Sequence, residues 1–211
     1  MPRVRKIRRN PSEGRNYFVI DACFLANKYI PASCAPNVKE RNRIEKCLEW
    51  WEEIDNQLEI NKARIYVPDI CIAETFKTLA KKYFQDQWFS SAVELNNARK
   101  RLKEDIVIKP RTLRGFRRTI RYHDISTSRD IIISVDRFFE LFLKYDFNVS
   151  LPDLIIVATA KYLIDFYDIP RTALHVVTLD NALWRGSKKI QELPNAYDPT
   201  KPSDSRDRVF E

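Results

Sequence analysis

Short apolar runs alternate along this chain with longer stretches whose apolar residues recur every three or four positions. The apolar runs predict buried strands at 17–20, 64–67 and 174–177. The longer stretches have the period of helices that bury one face. Because each predicted strand is separated from the next by helical stretches, the pattern predicts an α/β fold with a central, mostly parallel sheet flanked by helices.

The helical stretches differ in how much of their surface is apolar. The predicted helices cover 22–29, 38–61, 69–83, 88–103, 130–145, 154–167 and 181–191. The stretch from Leu154 to Tyr167 is nearly all apolar, which predicts a helix in the middle of the protein. The other buried faces are predicted to include Leu48, Trp51 and Leu58 in the second helix, Ile72, Phe76, Leu79 and Tyr83 in the third, and Ile131, Val135, Phe138, Phe139 and Phe142 in the fifth.

The composition of the two ends predicts how the chain is divided. Residues 1–15 are polar and basic and contain two prolines, so we expect a flexible arm. The periodic pattern runs from 16 to 194 without an internal repeat or a linker between two domains. Residues 195–211 are polar and are expected to form a loose tail.

Composition argues against several classes of protein. No apolar stretch approaches the roughly 20 residues of a membrane helix, and no apolar segment follows the basic N-terminus as in a secretory signal. We therefore expect a cytoplasmic protein with no membrane partner. Three glycines cannot form a phosphate-binding loop, and two histidines disfavour Ser-His-Asp and Cys-His hydrolases. The four cysteines include no CxxC pair and are expected to be thiols, with a disulfide framework as the alternative.

The net charge of the chain indicates which class of molecule it binds. Lys and Arg number 37 and Asp and Glu 29, which gives a net charge of +8 and a pI near 9.3. This favours a polyanion, nucleic acid first and an anionic membrane second. The densest basic cluster consists of Arg111, Arg114, Arg117, Arg118 and Arg121, with Phe116 and Tyr122 beside them. Guanidinium groups suit phosphates and aromatic rings can stack on unpaired bases, so the cluster is predicted to contact nucleic acid; a solvated basic loop is the alternative.

Three acidic residues stand at strand ends or helix starts. They are Asp21, Asp153 and Asp180. In open α/β sheets the carboxyl ends of the strands and the following helix N-termini line one crevice, so these acids can converge. Carboxylates gathered there repel one another unless a cation neutralises them, and hard oxygen ligands suit Mg²⁺ or Mn²⁺. The alternative is that each acid only caps its helix or complements its dipole.

Four segments resemble the motifs of PIN domains and occur in that family's order. They are YFVIDACFL at 17–25, VPDICIAETFKTL at 67–79, LPDLIIVATA at 151–160 and VTLDNAL at 177–183. The last two, a helix opened by Asp and a Thr-x-Asp motif, are together fairly specific. The resemblance covers most of the chain apart from its ends and its middle region, about 84–150, which is enlarged.

The resemblance implies a PIN-like fold over 16–194, metal-dependent nuclease activity and RNA as the usual substrate. The residues that match the family's metal-binding acids are Asp21, Glu74, Asp153 and Asp180, and Thr178 matches the hydroxyl of the Thr-x-Asp motif. The best-known members, VapC-type toxins of bacterial toxin–antitoxin pairs, are generally shorter. They suggest an antitoxin or another protein as partner. PIN-like proteins also often pair, which suggests a homodimer through Trp50-Trp51 or Phe138-Phe139-Phe142.

The leading hypothesis is therefore a metal-dependent endoribonuclease, including the VapC-like toxin reading. A non-catalytic RNA-binding module that keeps the fold for scaffolding is the main alternative. A structure-specific DNA nuclease is the second, because it differs only in its substrate.

Overall fold

The strands form one parallel sheet. The computed structural model describes residues 14–106, 122–204 and 210. Its strands are Asn16–Ile20 (β1), Ala63–Pro68 (β2), Tyr122–Ile125 (β3), Leu174–Val177 (β4) and Ala196–Tyr197 (β5). They are hydrogen-bonded in the order β3-β2-β1-β4-β5, and every neighbouring pair is parallel. The expected α/β class with a central sheet is confirmed.

Helices cover both faces of this sheet. They are Ala22–Asn27 (α1), Val38–Glu59 (α2), Asp69–Phe84 (α3), Ala92–Ile106 (α4), Arg129–Lys144 (α5), Leu151–Tyr167 (α6) and Asn181–Lys189 (α7). The α6 helix contacts β1, β2 and β4, and its buried side chains include Ile156, Val157 and Leu163. The sequence therefore identified the central helix correctly. On the opposite face, α2 presents Trp51 to Tyr122 of β3, with ring centroids 5.7 Å apart.

Two strands were missed by the sequence analysis. Tyr122 is the one buried residue of β3, which lies at the edge of the sheet, so the segment lacks an apolar run. The β5 strand is only two residues long, and its pairing is extended by the Thr178 amide, which donates to the Tyr197 carbonyl at 3.0 Å. Residues 195–204 consequently pack on the sheet instead of forming a loose tail, with Asp198 and Asp204 buried.

Several predicted side-chain environments need correction. Trp50 and Trp51 are each 2% exposed, so neither can form an oligomer contact. Phe139, expected in the core, is 46% exposed, whereas Phe138 and Phe142 are buried as predicted. In α3 the fully buried face is formed by Cys71, Thr75 and Leu79. The predicted residues Ile72, Phe76 and Tyr83 are only half-buried, because α3 packs between α1 and α4 and so uses a different side.

The cysteines and the lengths of the helices complete the description of the fold. All four cysteines are free thiols. Within the described ranges, no helix has the length and apolar character needed to cross a membrane.

Gly186 of α7 generates a prediction about packing. A Cβ at this position would lie 3.2 Å from Cδ1 and 3.3 Å from Cζ of Phe142, and still closer to Cε1. Helix propensity alone would make Gly186→Ala stabilising by about 1 kcal/mol. We expect it instead to lower the free energy of unfolding by about 1–3 kcal/mol, since the buried ring cannot move away. Urea unfolding measures this.

The double variant Gly186→Ala/Phe142→Leu provides the control. If the ring is the obstacle, its destabilisation is smaller than the sum of the two single effects. An increase in stability for Gly186→Ala alone would contradict the packing argument.

Candidate active site

The predicted acids lie at the carboxyl edge of the sheet. Asp21 directly follows β1, and Asp180 follows β4 after two intervening residues. Asp153 lies in the first turn of α6, and Glu74 lies within α3, the helix that follows β2. The ends of β1 and β4 are joined where the Asp21 amide donates to the Val177 carbonyl at 3.0 Å. Three adjacent strands thus deliver acids to one edge.

Thr178 connects two of these acids. Its Oγ1 donates to Oδ2 of Asp21 at 3.0 Å and accepts from the Asp180 amide at 2.9 Å. Thr178 is fully buried and Asp21 is 4% exposed. The hydroxyl therefore fixes the Asp21 carboxylate relative to the turn that carries Asp180.

Asp21 is an acid in an unfavourable environment for its charge. Burial raises its pKa to about 7, and the charge of Asp153 adds to the rise. Hydrogen bonds from Thr178 and from the backbone amides of Cys23 and Leu179 oppose it but do not compensate. Near neutral pH this carboxyl group is therefore poised between its protonated and charged forms.

Asp153 couples the other acids electrostatically. Burial raises the pKa of Glu74, and the Asp153 charge raises it further. Burial also raises the pKa of Asp153; the Ser150 hydrogen bond counteracts this, while the Asp180 charge adds to it. Asp153 thus interacts unfavourably with each of the other three acids. The structure brings all four into one electrostatic group.

Two of the acids also cap helices, as the alternative interpretation proposed. Asp153 forms a capping box with Ser150, whose amide donates to Asp153 Oδ2 at 3.1 Å. Asp180 caps α7, its Oδ1 accepting from the Leu183 amide at 2.7 Å. Asp21 stands at the start of α1 without a well-formed side-chain cap bond, although the Cys23 amide in the first turn is close enough to lower its pKa. Helix capping therefore explains part of the placement of Asp153 and Asp180. It does not explain why the carboxylate of Asp21 is buried.

The donor set fits a hard divalent cation in its chemistry. Among the residues that the structure describes, no three His, Cys, Asp or Glu side chains are already arranged around a point where an ion could sit. The capping bonds account for this, because they hold Asp153 and Asp180 against their own helices. Each of these bonds uses one carboxylate oxygen, and the acids carry only oxygen donors, which suit Mg²⁺ or Mn²⁺. Their mutual repulsion is what a cation would relieve.

The sequence analysis missed two residues beside the acids. Cys23 is exposed, and desolvation raises the pKa of its thiol to about 12. The charges of Asp21, Asp153 and Glu74 add to this rise. The charge of Arg43 lowers the pKa and so opposes them. Arg43 extends from α2 and also forms an ion pair with Glu40 at 3.5 Å. Neither residue stands out in the sequence, since Cys23 is an isolated thiol and Arg43 is one of many cations.

The predicted nucleic-acid contacts are not among the residues that the structure describes. Arg111, Arg114, Arg117, Arg118 and Arg121 lie outside the described residues. Their contact with nucleic acid stays a prediction.

Comparisons with known proteins give a limited result. No protein-family model and no curated protein matches the chain. Similar solved structures include VapBC2 from Rickettsia felis bound to a DNA fragment from their promoter, with 11% identity, a TM-score of 0.47, and coverage of 86% of this chain and 98% of that one. FitAcB from Neisseria gonorrhoeae has 15% identity, a TM-score of 0.49, and coverage of 86% and 97%. VapBC-1 from nontypeable Haemophilus influenzae has 13% identity, a TM-score of 0.47, and coverage of 88% and 99%. Values this low do not establish a shared family.

The raised pKa of Asp21 predicts a pH-dependent effect of Asp21→Asn. In the folded protein the pKa is about 7, against 3.8 for the ordinary group, so the stability cost of the charge is absent below about pH 4 and complete above about pH 7. In EDTA at about pH 8, Asp21→Asn should therefore raise the free energy of unfolding, by on the order of 2–4 kcal/mol. The gain should shrink towards zero near pH 4. Urea unfolding at several pH values measures it.

Asp168→Asn is the matched control. Asp168 is the exposed residue that ends α6, at the far end of the helix from Asp153. This substitution should change the free energy of unfolding little at either pH. A helix-capping role for Asp21 predicts no pH-dependent gain, because Asn caps nearly as well as Asp.

Proposed function

We propose that this protein is a metal-dependent endoribonuclease of PIN type that acts in the cytoplasm. The observation that carries the proposal is the buried Asp21, held by Thr178 and coupled electrostatically to Asp153 at the carboxyl edge of the sheet. Burying a charge beside like charges is costly and gives no structural benefit by itself. A site that binds a divalent cation explains why such an arrangement is kept.

Each residue has a role in this proposal. Asp21, Asp153 and Asp180 hold Mg²⁺ or Mn²⁺, and Glu74 is either a further ligand or orients the attacking water. Thr178 positions the Asp21 carboxylate. When bound, the metal activates water and stabilises negative charge on the departing oxygen during phosphodiester hydrolysis. The positively charged chain attracts the polyanionic substrate.

The VapC-like toxin is the finer form of this proposal. It rests on the four sequence motifs, and it implies a small antitoxin as protein partner. Homodimer formation also stays a prediction. The most suitable surface for either contact is α5, where Ile132, Phe139 and Leu143 lie on one side of the helix and are 57%, 46% and 58% exposed.

The alternatives differ in what they require of the acids. A non-catalytic RNA-binding scaffold has no use for the raised pKa of Asp21, so the cost of burying this acid argues against it. A DNA nuclease would use the same residues in the same way. Substrate competition between RNA and DNA separates these two nucleases.

Asp21→Asn and Asp153→Asn test the nuclease directly. Both substitutions remove a charge with little change of size, and cleavage of structured and single-stranded RNA should fall by orders of magnitude because metal positioning is lost. Cleavage by the unmodified protein should require Mg²⁺ or Mn²⁺ and stop in EDTA. Asp168→Asn should cleave at the normal rate.

Two outcomes would count against this proposal. Full-rate cleavage in EDTA, or by Asp21→Asn, contradicts a metal nuclease. If the unmodified protein cleaves no RNA and no DNA, the scaffold becomes the better explanation.

The arginine cluster gives a separate prediction about binding. Changing Arg114, Arg117 and Arg118 to Ala should weaken RNA binding and reduce its dependence on salt concentration, because fewer counterions are released. If these side chains contact nucleic acid and not the core, thermal stability should change little. Fluorescence anisotropy at several salt concentrations measures the effect, and identical salt slopes would contradict a phosphate contact.

A further inference from the structure

A second pocket lies far from the acids. We call it the tyrosine pocket; its walls include Arg64, Tyr66, His123, Asp124, Tyr162 and Tyr167, and its volume is about 420 Å³. That volume lies within the roughly 300–1,000 Å³ of small-molecule sites. Tyr167 lies at the end of α6, fourteen residues from Asp153, which corresponds to roughly 20 Å along the helix. The nuclease proposal therefore assigns no role to this pocket.

Flat rings form the floor of the tyrosine pocket. Tyr17, Tyr66 and His123 come from β1, β2 and β3 and follow one another across the sheet. The rings of Tyr17 and Tyr66 are nearly parallel, with centroids 6.4 Å apart, and the centroids of Tyr66 and His123 are 5.5 Å apart. Tyr66 and His123 are both half-buried. Their faces therefore provide a stacking surface that is larger than one side chain.

Helix α6 supplies the opposite wall. Tyr162 and Tyr167 project from its last turns, and Tyr167 is 52% exposed. Tyr167 is close enough to Tyr66 to raise the pKa of the Tyr66 hydroxyl. The helix tyrosines and the rings of the sheet line the same pocket. Aromatic side chains facing a slot in this way favour a flat ring as ligand.

Two cations stand beside the ring surface. Arg64 lines the pocket, and its guanidinium is close enough to the Tyr66 hydroxyl to lower the pKa of that group, against the larger opposing effect of burial. Arg15 is fixed differently, through Nε, which donates to the Asn61 carbonyl at 3.1 Å. The terminal nitrogens of a guanidinium fixed through Nε can still meet a phosphate. Burial and the Arg64 charge lower the pKa of His123, so its ring is neutral near pH 7 and adds no further charge.

Asp124 gives the pocket a hydrogen-bond acceptor. Its exposed carboxylate also lines the pocket and repels an anion placed beside it, which leaves the arginines as the position for a negative group. A nucleobase with an exocyclic amino group can instead donate a hydrogen bond to it. Rings for stacking, arginines for phosphate and an acceptor for an amino group together favour a nucleotide.

We propose that the tyrosine pocket binds one nucleotide, with its base between Tyr66 and Tyr167 and its phosphate at Arg64 and Arg15. The ligand is either a free nucleoside monophosphate or one nucleotide of an RNA strand, since both present the same groups. The proposal does not depend on metal binding or on cleavage.

Calorimetric titration with cytidine monophosphate (CMP) tests the pocket. It is done in EDTA, on both the unmodified protein and Asp21→Asn, so that failure of the nuclease proposal does not affect it. CMP should bind more tightly than ribose 5-phosphate because the base stacks. Tyr167→Ala should weaken binding about tenfold or more, whereas Tyr167→Phe should keep it. Arg64→Ala and Arg15→Ala should each weaken binding and reduce its salt dependence.

Two control variants separate the pocket from general effects. Phe84→Ala removes an exposed ring at the end of α3, outside the lining of the pocket, and Arg41→Ala removes an exposed cation from α2 on the other face of the sheet. Both should bind CMP normally. Titration with a cytidine tetranucleotide distinguishes the sources: tighter binding than CMP, lost in Tyr167→Ala, indicates an RNA strand, and tighter binding of CMP indicates a free nucleotide.

Four results would overturn the proposal, and the first three concern the ligands. They are no binding of CMP or tetranucleotide at millimolar concentration, equal affinity for CMP and ribose 5-phosphate, and tighter binding of a tetraglutamate peptide than of CMP. As a fourth result, an equal loss of CMP affinity in Arg41→Ala and Arg64→Ala would show that the net charge of the protein alone attracts the nucleotide.

Discussion

The candidate active site depends on the hydrogen bond between Thr178 Oγ1 and the buried carboxylate of Asp21. It joins the ends of β1 and β4, which are neighbours at the centre of the sheet. Because the hydroxyl also accepts from the Asp180 amide, the turn after β4 has one fixed position relative to Asp21. The other acids are then placed by the packing of their helices: Asp153 by α6 across the sheet and Glu74 by α3 beside β2. A single buried hydroxyl thus connects the architecture of the sheet with the electrostatics of its edge.

The central part of the fold could be predicted from the sequence because its signals are local. β1, β2 and β4 are apolar runs that are buried in the sheet, and α6 is apolar on most of its surface because it lies over three strands. The edge strands gave no such signal. Tyr122 is buried by the distant Trp51, and the chain after β5 is held by polar contacts such as Trp184 Nε1 donating to Asp204 at 2.6 Å. Contacts between distant polar residues leave no periodic pattern.

In the candidate site, too, the local features could be predicted from the sequence and the long-range contacts could not. Its acids could be selected from the sequence, since three of them follow strands or begin helices and all four match the PIN motifs in order. Their hydrogen bonds, burial and electrostatic environment could not be predicted from the sequence. Only the structure shows that Asp153 shares its carboxylate with Ser150, that Asp21 is buried without a well-formed cap bond, and that Cys23 faces the same charges. These properties depend on burial and on neighbours brought together by folding.

The separation of Asp21 and Thr178 along the chain has a consequence for synthesis. The two residues are 157 positions apart, so their hydrogen bond closes nearly the whole domain. Contacts of such long range form late, because the intervening chain must first lose its conformational freedom. A growing chain on the ribosome carries Asp21 early but cannot secure it until β4 and Thr178 have been added. The acidic edge is consequently incomplete until the last strands of the sheet have been synthesised.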